Sequence, residues 1–151
     1  MSTAHLQEPN SGSPDAPRAT DERLRFHEFG FQRLADGRCR AKVVLTWWDG
    51  RRFEGNSDGV SSQTGELRCC AMAAVHALEQ AVQPRLTLEL VGVKAVRAFD
   101  ATVLIVSLSA KAEQTIRLIG SCLTETDPQR GAALAVLNAT NRLLGNYLTT
   151  R

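Results

Sequence analysis

The sequence predicts an α+β fold of two tandem βββα units related by pseudo-twofold symmetry, and three observations carry that prediction. Thr126 to Leu144 (TDPQRGAALAVLNATNRLL) reads as an amphipathic helix, and Thr64 to Val82 (TGELRCCAMAAVHALEQAV) sets out the same phrase 62 positions earlier. The chain from Arg23 aligns with itself from Arg85 at that offset without a gap, with identities such as Gly30/Gly92, Val44/Val106, Arg68/Arg130 and Ala73/Ala135. Both halves also change the phase of their apolar alternation at matching places, which a strand does only where it carries an extra residue.

Residues 1–21 hold three of the five prolines and almost nothing apolar, so they read as a disordered tail in which His5 has no evident role. The remainder, 22–151, forms one duplicated domain, with repeat 1 at about 23–82 and repeat 2 at about 85–148. In the first strands, Leu24 and Phe26, or Leu86, Leu88 and Leu90, hold the even face before Phe29 and Phe31, or Val91 and Val93, take the odd one. Gly30 and Gly92 stand beside the switch, where a bulge favours glycine. Turns at Ala35-Asp36-Gly37-Arg38 and Arg97-Ala98-Phe99-Asp100 lead to second strands at Cys39 to Trp48 and Ala101 to Ala110, rich in β-branched and aromatic residues. Third strands follow near Arg51 to Asn56 and Glu113 to Ile119, the first after the strong turn signal Asp49-Gly50.

A loop of small residues precedes each helix, and Gln83-Pro84 joins the halves. In the second helix Asp127 is the expected N-cap and Pro128 the first helical residue. A single unit of roughly 60 residues is marginal, so the two copies pack on each other or on a second chain.

Basic residues outnumber acidic ones by two, a balance that gives no nucleic-acid-binding surplus. No apolar run reaches the roughly 20 residues of a membrane span, and a soluble, cytoplasmic protein without a membrane partner is expected. Cys39, Cys69, Cys70 and Cys122 lack metal-site spacing; they read as reduced thiols, with no metal and no cofactor implied. Catalytic motifs are lacking, and His27 and His76 fall on different elements, so the chain reads as non-enzymatic.

The candidate ligand-binding residues are Asn56, Ser57, Asp58, Gly59, Ser61 and Ser62 in one loop and Gly120, Ser121 and Thr124 in the other. Glycine, hydroxyls and free backbone N–H groups before a helix N-terminus suit the carboxylate of a small acid. Arg68 and Arg130 occupy equivalent early positions in the helices, where a cation needs compensation, most simply a salt bridge. Trp47 and Trp48, consecutive in a strand, face opposite sides, one toward the core and one toward an interface.

Two βββα units whose G-V-S-like loop runs into an alanine-rich helix resemble the C-terminal regulatory domain of 2-isopropylmalate synthase and citramalate synthase. The matching pieces are Phe53 to Ser61 (FEGNSDGVS) with Arg68 to Leu78, and Ile116 to Cys122 (IRLIGSC) with Ala132 to Leu144. The resemblance covers about residues 23–148. It implies a homodimer that binds leucine, isoleucine or a similar amino acid at these loops, as a stand-alone regulatory module. The family's catalytic barrel has no counterpart here, so its condensation chemistry is not carried over. The loops are two or three residues longer than the family's, and Cys122 and Leu123 stand where small polar residues are expected. Two other readings stay open: a structural subunit docking on a separately encoded enzyme, and double-stranded RNA binding, for which only Arg68 and Arg130 are at hand.

Overall fold

The computed structural model describes residues 24–149; the tail expected to be disordered, with His5, lies outside the described residues. The element order is β1 (Arg25–Arg33), β2 (Arg38–Thr46), β3 (Arg52–Val60), α1 (Gln63–Val82), β4 (Thr87–Ala98), β5 (Ala101–Lys111), β6 (Thr115–Thr124) and α2 (Pro128–Thr149). Two antiparallel sheets form, in the orders β1-β2-β3 and β4-β5-β6, each followed by a helix. This is an α+β fold.

The central strands explain the layering. In β2, Cys39, Ala41, Val43 and Leu45 turn inward; in β5, Leu104, Val106, Leu108 and Ala110 do. Helix α1 packs on β2 and β3 and also meets α2 and β4, while α2 lies on β5 and β6. The buried side chains join into one core that spans both units. Leu78, Leu104 and Leu108 are fully buried, and each contributes on the order of 2 kcal/mol.

The turn before β2 places Asp36 at φ 66° and Gly37 at φ 72°, and the hairpin between β4 and β5 puts Phe99 at φ 59°. Both first strands carry an extra residue. His27 is bulged between Phe26 and Glu28, and Val91 between Leu90 and Gly92. Gly92 therefore adjoins its bulge as expected, whereas Gly30 stands three residues from the break. Neither glycine has a neighbour that a methyl group would meet.

Two other glycines are required where strand meets helix: Gly55, which the sequence did not single out, and Gly120, which it offered as a ligand-binding residue. A Cβ on Gly55 would lie 2.2 Å from the Ala73 oxygen and the Ala77 nitrogen; one on Gly120 would lie 2.3 Å from the Ala135 oxygen and 2.5 Å from the Ala139 nitrogen. Strand and helix backbones touch at both points. The helical partners are 62 positions apart, but the glycines are 65 apart, so the gap-free alignment does not hold along the whole chain. The helix meets its glycine about one turn later in α1 than in α2.

Several boundaries differ from expectation. β2 ends at Thr46, so Trp47 and Trp48 leave the strand and enter a turn closed by Gly50 N–H donating to the Trp47 carbonyl at 2.9 Å. Trp47 is buried and Trp48 half-exposed, the division that alternation in a strand also gave. The larger correction concerns the third strands. β3 continues to Val60 and β6 to Thr124, so most of both presumed loops belongs to the sheets. Poor strand formers are held there by pairing, from Arg38 opposite Val60 to Lys42 opposite Asn56, and from Thr102 opposite Thr124 to Val106 opposite Gly120.

Candidate functional site

Pairing of β3 and β6 sorts the candidate residues by face. Asn56 and Asp58 pair with the outward-facing Lys42 and Arg40, whereas Ser57 and Gly59 pair with the inward-facing Ala41 and Cys39. The Arg40 Nε donates to Asp58 Oδ1 at 2.8 Å across the strands. That partner lowers the Asp58 carboxyl and raises the Arg40 guanidinium from their ordinary values.

Ser61 and Ser62 are occupied by structural work. Ser62 caps α1, its Oγ accepting from the Gly65 N–H at 3.0 Å. The Ser61 hydroxyl donates to Glu66 Oε2. Glu66 is buried and gathers three elements: Arg33 of β1 donates through Nε and an η-nitrogen at 2.7 and 2.9 Å, and Gln129 of α2 donates at 3.1 Å. The Arg33 bond, followed by that from Ser61, holds the Glu66 carboxyl down at about 2, with burial opposing and Gln129 assisting.

On the second sheet, Gly120 faces α2 in the close contact already described, and the Ser121 carbonyl accepts from Asn138 Nδ2 at 2.9 Å. The Thr124 hydroxyl accepts from the Asp127 N–H at 3.0 Å, and Asp127 Oδ1 in turn accepts from the Arg130 N–H at 3.0 Å. Asp127 thus caps α2 with Pro128 first in the helix, as read from the sequence. These three candidates serve the fold and lie apart from the first-sheet group.

The two arginines part company. Arg130 stacks its guanidinium 4.7 Å from the centre of the Phe26 ring, so its compensation is a π-face rather than the expected carboxylate. Arg68 falls in the second turn of α1, because this helix begins at Gln63. It lines an open hollow of about 250 Å³ together with Ser57, Asp58, Gly59, Val60, Cys69 and Met72. A second hollow of about 410 Å³ adjoins it, bounded by Arg40, Asn56, Ser57, Asp58 and His76. The first-sheet candidates are therefore brought together, with Arg68, along one strand edge.

His76 and the thiols complete this edge. The His76 Nδ1 lies 2.7 Å from the Asn56 carbonyl, which fixes Nδ1 as the protonated nitrogen in that contact. Cys69 donates to the Ser57 carbonyl at 3.2 Å, and burial pushes its thiol up to about 11. Burial also raises Cys70 and Cys122. Cys39, Cys69 and Cys70 are buried and Cys122 is partly so. Among the described residues no cluster of three metal-ligating side chains occurs, and no helix is long and apolar enough to cross a membrane.

A scan against protein-family models and a search of curated proteins both end without a match.

Proposed function

We propose that this chain is a non-catalytic regulatory module that self-associates and holds a small zwitterionic acid, a branched-chain amino acid first among the candidates. The reading follows the resemblance to the regulatory domain of 2-isopropylmalate and citramalate synthases. One observation carries the ligand half: the hollow beside α1 sets the Arg68 cation next to an apolar wall of Val60, Cys69 and Met72, while Asp58 at its rim is bridged to Arg40. A carboxylate suits the first and an aliphatic side chain the second. The non-catalytic half draws on the engagement of His76 by a carbonyl and on thiols pushed away from the reactive thiolate by burial.

Thermal unfolding in millimolar leucine or isoleucine tests it. Binding to the native state raises the Tm, and glycine, which lacks the aliphatic group, leaves it in place. An unchanged Tm with both branched amino acids sinks the sensing role.

A further inference from the structure

The outer faces of the two sheets are built oppositely. Across the first, the register sets Gln32, Arg40 and Asp58 in one row and Gly30, Lys42 and Asn56 in the next. Ion pairs cross this face between Arg40 and Asp58 and between Lys42 and Glu28. It is a solvated face.

Across the second sheet, Val96, Val103 and Leu123 form one row, Lys94, Ile105 and Ser121 the next, and Gly92, Ser107 and Ile119 a third. The bulged Val91 joins this third row. Leu123 is 66% exposed, Ile119 62%, Val91 48% and Val96 38%. Four large aliphatic side chains thus stand in water on one surface, with Val103 and Ile105 half-buried between them. A continuous apolar surface of this kind marks an interaction site.

We propose that this face seats a second copy of the chain, sheet against sheet about a twofold axis; the assignment rests on the self-association in the reading above. Size supports it. Strands of 12, 11 and 10 residues make the face. At strand spacings of about 4.8 Å it measures roughly 15 by 35 Å, or about 1,000 Å² for the pair, the lower bound of a specific interface. Beside the apolar centre the face carries Lys94, Arg117 and Lys111 with Glu89, and Lys111 reaches Glu89 at 3.9 Å within the one copy. The chain's own first 23 residues are a poor occupant, since Met1 and Leu6 are their only large apolar side chains. Two stacked sheets of this size form a dimer that dissociates on dilution.

Sedimentation of the full chain over a concentration series tests the proposal. The wild type shifts from monomer to dimer mass in the micromolar range. The double variant Ile119→Lys with Leu123→Lys weakens the dimer at least tenfold while retaining the wild-type circular dichroism. Gln32→Lys, on the exposed outer face of the first sheet, leaves the dimer intact. Should the lysine pair fail to fold, Ile119→Ser with Leu123→Ser gives the same readout at a lower cost. A dimer unaffected by either pair overturns the choice of face and spares self-association; a wild type that stays monomeric at all concentrations overturns both.

Discussion

His76 on α1 holds the carbonyl of Asn56 on β3 at 2.7 Å, one residue beyond the glycine where that strand touches the helix. Asn138 on α2 does the same for Ser121, one residue beyond Gly120, at 2.9 Å. In both units a backbone contact and a side-chain hook fix the third strand to its helix. His76→Asn should therefore be nearly neutral, because asparagine already makes this bond in the other unit. His76→Ala should cost about 1 kcal/mol, read by denaturant unfolding.

Substituting the touching glycines should cost more. Gly55→Ala or Gly120→Ala forces two backbones apart and should lose about 3 kcal/mol, or about 10 °C in Tm. Gly30→Ala and Gly92→Ala, where a methyl group meets nothing, should stay within about 0.5 kcal/mol of wild type.

Glu66 gives the fold an acid limit. Its carboxyl titrates near 2 in the native state against an ordinary value of 4.5. A depressed native value means that the stabilisation is complete above about pH 4.5 and is lost as pH falls toward 2. Glu66→Gln should lower stability at pH 7 by about 1 to 2 kcal/mol, a modest figure because the Arg33 side chain is largely in water. Its Tm should also fall less steeply than the wild type's between pH 4.5 and 2, as a calorimetric pH series would show.

The raised thiols predict slow chemistry. With Cys69, Cys70 and Cys122 all shifted upward, an aromatic disulfide reagent at pH 7.5 should label the native protein far more slowly than the unfolded one. Immediate labelling of Cys69 in the native state would contradict the burial described.

Arg68→Ala should remove the Tm gain that leucine gives, with little change in the ligand-free Tm. Retention of the full gain would move the ligand away from this hollow.

The order of strands and helices was legible from alternation, turn residues and caps, down to Asp127 and Pro128. What stayed hidden depends on contacts between distant segments. Asn56-Ser57-Asp58-Gly59 is turn chemistry in isolation, yet pairing with β2 and the Arg40–Asp58 bridge make it strand. Gly55 and Gly120 matter through what lies opposite them, which a single sequence does not display. The uniform offset of 62 concealed them further, because it aligns Gly55 with Arg117. Of the candidate site, Asn56, Ser57, Asp58, Gly59 and Arg68 share one edge; Ser61 and Ser62 went to hydrogen bonds and capping, and the second-sheet residues to packing and caps.

Glu66 takes its partners from the first strand, from the turn before its own helix and from the opening turn of the last helix. A cut at the linker between the halves would take away the Gln129 bond and leave those of Arg33 and Ser61, so the halves are tied by this bond together with the core that α1 shares with α2 and β4. On that shared core the two halves should melt together as one cooperative block rather than in succession.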